Sequence, residues 1–130
     1  MDNSSSGVEP RSIARPRNAL KRVPDVFLAH WNQVNAADLL KALADYAKPD
    51  ASFRARKDPR SMRWHASIDG RDFSFVLTGP MFLDDSDNQG GLGAVKFVQH
   101  VLRCDFRAAT RFLLEDPRAQ PFLLLTITQY

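Results

Sequence analysis

Two short apolar alternations on either side of an Asp-Gly pair constrain this chain most. Between Arg63 and Ile68, the residues Trp64, Ala66 and Ile68 take alternate positions; between Asp72 and Leu77, Phe73, Phe75 and Leu77 do the same. A period of two puts each set on one face of a strand. Asp69-Gly70 stands between the runs, and that dipeptide supplies the positive φ angles of a tight two-residue turn. The pair of runs therefore predicts an antiparallel hairpin with an aromatic inner face. Gly79-Pro80 breaks the second run, and Met81–Leu83 adds a short further strand. Ser52–Lys57 alternates weakly and is expected to form a strand ahead of the hairpin.

The flanks carry helical signals. Pro24-Asp25-Val26 opens a short helix over Val26–Asn32. Asn35 is a natural N-cap for a helix over Ala36–Ala47, with Leu39, Leu40, Leu43 and Tyr46 on one apolar face. Lys48-Pro49-Asp50 stops it. After Met81-Phe82-Leu83 comes an acidic turn, Asp84-Asp85-Ser86-Asp87-Asn88, then Gly90-Gly91-Leu92-Gly93. Two closing helices follow, at about 93–103 and 105–115. The first carries Val95, Phe97, Val98, Val101 and Leu102; the second is led by Asp105, an N-cap, and Phe106. The expected class is α+β: a small antiparallel sheet flanked by helices over residues 25–115. Residues 1–24 lack periodicity and are rich in Ser, Pro, Asn and Arg, which predicts a disordered basic arm. Residues 116–130 are a tail, with the β-prone stretch 121–127 either an added strand or a packing piece.

Charge is local rather than global. The formal net charge is +3 and the pI about 9.4, too mild to establish a nucleic-acid partner alone. Arg11, Arg15, Arg17, Lys21 and Arg22 crowd the arm without an acid among them. Lys48, Arg54, Arg56, Lys57, Arg60, Arg63 and Arg71 face only Asp50, Asp58 and Asp69 across residues 48–71. The single cysteine, Cys104, rules out an internal disulfide framework and a cysteine-based zinc site within these residues. No apolar run approaches the roughly 20 residues needed to span a bilayer. The first residues hold no apolar core of a secretory signal, so a cytoplasmic location without membrane contact is expected.

Three groups of residues bear on function. Gly90, Gly91 and Gly93 lead into a helix, where free N–H groups and the helix dipole suit a phosphate, with Lys96 one turn further on. No Gly-Lys-Ser/Thr follows, so this is not a Walker loop. The same glycines also serve close packing of a loop on the sheet. Second, Asp85, Asp87, Gln89 and Gly90 begin like a calcium loop, but Lys96 occupies the twelfth position, where a bidentate Glu is required. A solvated turn and helix cap is the better reading. Third, Arg54, Arg56, Arg63, His65 and Arg71 are expected on the outer sheet face, near Phe53, and with Lys57 they make up the candidate nucleic-acid-binding set. Cations that track a backbone beside stacking aromatics are what a single-strand binder needs. Trp64, Phe73 and Phe75 face inward as core. His30, His65 and His100 have no metal-ligand spacing. His65, Ser67 and Asp69 share one short strand and do not build a triad. Cys104 beside Arg103 is read as packing between the closing helices. No enzyme activity, cofactor or metal is expected.

Several of these pieces resemble the zinc-ribbon domain of bacterial replicative and plasmid primases. They are a helix, basic strands with Trp64-His65-Ala66, the hairpin, Phe73-Ser74-Phe75, Met81-Phe82 and the glycine-rich loop. Ala94-Val95-Lys96-Phe97-Val98-Gln99-His100 and Asp105-Phe106-Arg107-Ala108-Ala109 complete the match, which covers roughly residues 36–115. Related domains in plasmid and phage mobilisation proteins carry an Asp before the glycines, as Asp84–Asp87 do here. The family's zinc ligands are three Cys and a His. Here the knuckles read His65-Ala66-Ser67-Ile68 and Phe82-Leu83-Asp84-Asp85, without cysteine. The resemblance therefore implies the ribbon fold without its metal, with Trp64, Phe73, Phe75 and Phe82 packing in its place. It also implies recognition of a single-stranded DNA template and no primer synthesis, because no catalytic primase core follows. Two further readings stand beside it. One is a docking module for a polymerase, helicase or relaxase, favoured if the apolar tail Phe122–Ile127 is exposed. The other is an enzyme fragment separated from its catalytic partner.

Overall fold

A computed structural model of the chain describes residues 23–123. The arm cations between Arg11 and Arg22 lie outside that range, as does most of the β-prone tail. Among the described residues the class is α+β, as the patterning predicts. The elements run α1 (Asp25–Trp31), α2 (Ala36–Leu43), β1 (Tyr46–Pro49), β2 (Met62–Ile68), β3 (Arg71–Thr78), β4 (Met81–Asp84) and β5 (Gln89–Leu92). Helices α3 (Ala94–Leu102) and α4 (Phe106–Glu115) follow, then a 3-10 turn over Pro117–Phe122. The five strands form one antiparallel meander in sequential order.

The central hairpin forms as its turn chemistry dictates. Asp69 and Gly70 have φ of 50° and 82°, and Ile68 pairs with Arg71 across them. Trp64 then pairs with Phe75 and Ala66 with Phe73, so both apolar sets share the inner face. That face packs on the helices. Phe75, Phe97, Leu39, Leu40, Leu43, Ile68, Val98 and Val101 are among the residues sealed from solvent. The rings form a contiguous stack: Phe73 lies parallel to Phe75 at 5.2 Å, and Phe82 meets Phe97 edge-on at 5.2 Å. Offset and edge-to-face contacts of this kind add to what area burial alone contributes.

The β3–β4 turn ties the two layers together. Gly79, with φ 55°, is the first central residue of a two-residue turn in which Thr78 pairs with Met81. The Gly79 carbonyl accepts the N–H of Ala36 at 2.8 Å, at the start of α2. The adjacent Pro80 carbonyl accepts the N–H of Gly93 at 3.0 Å, at the start of α3.

Helix ends follow the expected caps. The Asn35 side chain accepts the N–H groups of Ala37 and Asp38, and Asp105 accepts that of Ala108. Three expectations need correction. The helix from Ala36 ends at Leu43, and Tyr46 belongs to strand β1. Ala44 turns extended, and Tyr46–Pro49 finds partners on β2 from Ser67 to Trp64. Ser52–Lys57 is irregular, because its backbone is bent by local side-chain hydrogen bonds. Gln89–Leu92 is a fifth strand rather than a loop. The chain after 115 also joins the core: Ala119 of the 3-10 turn is fully buried, and Val23 packs at the other end.

Candidate functional site

The outer face of β1–β2 gathers most of the expected cations. Cross-strand partners share a face, so the register sets Tyr46 beside Ser67 and Lys48 beside His65. Tyr46 is 54% exposed. Neither Tyr46 nor Lys48 was expected here, because the apolar spacing from Leu39 continues through Tyr46 and hides the strand.

The segment from Asp50 to Ser61 is fastened over the outer side of β2–β3. One Asp50 oxygen accepts the Ser52 hydroxyl at 2.6 Å and the Ser52 N–H at 2.9 Å; the other meets His65 Nε2 at 3.1 Å. Those contacts, Ser52 first and His65 next, hold the Asp50 carboxyl down at about 2 against an ordinary 3.8. The Arg54 guanidinium donates to the carbonyls of Ala51 and Phe53, each at 3.0 Å. Arg63 lies over the Phe53 ring at 5.2 Å and pairs with Asp85 at 2.8 Å. Ser61 and Thr78 share a hydroxyl hydrogen bond at 2.7 Å, and Arg60 pairs with Asp58 at 2.8 Å.

Arg54, Arg56 and Lys57 are left exposed on this fastened loop. Among the described residues no acid lies within ion-pair reach of any of the three. Two cavities, of about 350 and 430 Å³, share Phe53, Arg54 and Arg56 in their walls. Arg63 and His65 are present on the same face but already engage Asp85 and Asp50. Arg71 is not part of it. Its pairing with Ile68 puts it on the same side as Phe73, at the exposed end of the hairpin, which corrects the outer-face expectation. Lys96 is also elsewhere, exposed on α3.

The glycines answer to packing. Gly90 and Gly91 pair with Leu83 and Phe82 in β5. A Cβ on Gly90 would stand 2.5 Å from the Phe82 carbonyl oxygen, and one on Gly91 would stand 3.2 Å from the Phe82 ring. Gly93 precedes α3 with φ 97°, and its N–H is taken by Pro80. The acidic turn closes the β4–β5 hairpin and does not cap the helix.

A second constellation lies on the inner side, where sequence spacing points to nothing. Asp84 ends β4 with its side chain 4% exposed, and one oxygen meets His100 Nε2 at 2.7 Å. Its other oxygen accepts the Ser86 N–H at 2.9 Å. Asp87 follows in the turn, where it accepts the Gln89 N–H at 3.2 Å. A cavity of about 450 Å³ opens over them, with Lys96, Gln99 and Arg103 on its rim. The separation of sixteen positions between Asp84 and His100 conceals the pair, since nothing local announces that β4 and α3 meet there. Cys104 is no activated thiol: burial, and then the charge of Asp105, push it up.

No family model, curated protein or solved structure matches this chain.

Proposed function

We propose that this chain is a single-stranded DNA-binding accessory module of a plasmid or mobile-element replication or priming system. The carrying observation is the fastened loop that presents Arg54, Arg56 and Lys57, without acid partners among the described residues, beside Phe53. Tyr46 and Lys48 extend the same face along β1. Cations spaced along a shallow surface neutralise phosphates, and accessible aromatic rings give bases a stacking platform. Arg63 and His65 position the loop first and contribute charge second. The primase-ribbon resemblance supplies the biological setting, and the module acts by holding template rather than by chemistry.

The test is fluorescence anisotropy with a labelled single strand and its duplex across a salt series. The single strand should bind more tightly, with affinity falling as salt rises. Replacing Arg54, Arg56 and Lys57 together by Ala should lower the salt slope by roughly two to three, since about 0.7 to 0.9 counterions accompany each phosphate contact. An unchanged affinity and slope in that variant would sink the reading.

A second reading, a docking module for a polymerase, helicase or relaxase, has its own observation. Met81, Leu83 and Leu92 lie together on the outer side of β4–β5, each more than a third exposed. A small apolar patch on an otherwise polar face is a feature of protein contacts. Met81→Ser with Leu83→Ser should abolish partner capture and leave oligonucleotide affinity intact if this reading holds.

A further inference from the structure

We propose that Asp84, Asp87 and His100 form a binding site for one divalent transition-metal ion. The three come from separate places, the end of β4, the β4–β5 turn and the last turn of α3. Their donor atoms nonetheless lie within 4.8 Å of one another. This convergence belongs to the inner side of the sheet and is independent of the outer basic face.

The electrostatics favour a cation. Asp84 is almost wholly withdrawn from solvent, and a carboxylate in that position requires a compensating partner. Among the described residues, His100 is the sole group within ion-pair distance of it, and Asp87 has none. Lys96 and Arg103 line the cavity yet stay beyond that distance. The surroundings are apolar: the rings of Phe73, Phe75 and Phe82 stand 6.2, 6.1 and 5.7 Å from the imidazole. One buried and one exposed carboxylate thus stand near a single imidazole that the aromatic rings back on its inner side. A divalent ion balances that set better than an imidazole alone, because the low-polarity surroundings of Asp84 strengthen its attraction to that buried carboxylate.

The geometry also resembles a prepared ligand set. Backbone N–H groups of Ser86 and Gln89 each hold one carboxylate oxygen, of Asp84 and Asp87 respectively. Such hydrogen bonds fix ligands and leave the second oxygen for the ion. Drawing each donor to about 2.0–2.2 Å from a metal asks the exposed Asp87 side chain to swing inward and the His100–Asp84 hydrogen bond to open. One nitrogen with two oxygens suits Zn²⁺ and its neighbours rather than Ca²⁺ or Mg²⁺, which prefer oxygen alone. Three protein donors at the mouth of an open cavity leave positions for water.

Untagged, metal-stripped full chain titrated with Zn²⁺ by calorimetry tests this, with Co²⁺ absorption as the report on coordination. One equivalent should bind, and Mg²⁺ should bind more weakly. Asp87→Asn, a change in an exposed turn that leaves the core untouched, should weaken Zn²⁺ binding roughly ten-fold or more. His100→Gln should do the same with an unaltered far-ultraviolet circular dichroism spectrum. His65→Gln, at the other Asp–His contact, should leave binding unchanged. The proposal is overturned by an absence of binding up to about 1 mM Zn²⁺, by full affinity in both Asp87→Asn and His100→Gln, or by loss of binding in His65→Gln.

Discussion

The two hairpins of this sheet, β2–β3 and β4–β5, are built on different principles. The first is specified by side chains. Trp64, Ala66 and Ile68 face Phe75, Phe73 and Arg71 across seven paired positions, and the Asp69-Gly70 turn sets the register. The second is specified by what is missing. Gly90 and Gly91 pair with Leu83 and Phe82 because any side chain at Gly90 would strike the neighbouring strand. The lesson is that a strand declares itself in sequence only where its side chains are used. Where the backbone itself is the packing surface, a strand looks like a loop.

The largest test of this contrast lies where the two hairpins meet. Phe75 pairs with Trp64 on one side and Asp84 on the other, and is sealed among Phe73, Phe82 and Phe97. Phe75→Ala should cost about 3–5 kcal/mol in urea unfolding. Leu83→Ala, on the outer side of β4, should cost less than about 1 kcal/mol. Equal losses would mean that the inner face does not dominate.

A smaller effect separates the two sets of glycines. Gly90→Ala should destabilise by about 1–3 kcal/mol, because the strand must shift to admit a methyl group. Gly70→Ala meets no atom within 4 Å and should cost only the backbone strain of its positive φ, about 1 kcal/mol. If Gly70→Ala proved the more damaging, β5 would be looser than its pairing implies.

The smallest effect concerns the outer face, where the first hairpin carries His65. The Asp50 carboxyl is depressed in the folded protein, so its link to Ser52 and His65 is complete above the ordinary carboxylate value of 3.8. The stability that it adds falls away as pH drops through about 2. Carbon-13 titration of Asp50 should show that midpoint. Ser52→Ala should raise it more than His65→Ala does, since the serine hydroxyl contributes most. A midpoint near 3.8 in the unmodified chain would show that the clamp does not form.

How much of this was legible follows the same division. Asn35, Asp69-Gly70 and Asp105 act through neighbours one to three residues away, and each occupies its expected role. Strand β1 was hidden because Ala44-Asp45-Tyr46-Ala47 carries no helix-stopping residue. Pairing with β2, some twenty residues later, ends the helix instead. The weak alternation of Ser52–Lys57 misled for the opposite reason: Asp50, Ser52 and Arg54 satisfy the local backbone with side chains, and no strand is needed. The outer cations are visible as a cluster, but the cluster hides a difference in phase: Arg71 stands two residues before Phe73 and shares its inner side, whereas Arg63 alternates with Trp64 and faces outward. The Asp84–His100 contact joins a strand to a helix and leaves no periodic trace in either.

The β3–β4 turn has a consequence for how the molecule comes apart. Ala36 and Gly93, fifty-seven positions apart, hang from neighbouring carbonyls of the same two residues. Opening that turn releases the anchor of α2 and the anchor of α3 together. The two helix starts therefore share one point of attachment to the sheet, in addition to their packing on its inner face. Local opening at Gly79-Pro80 is expected to loosen both helix starts together, as one coupled unit with the sheet.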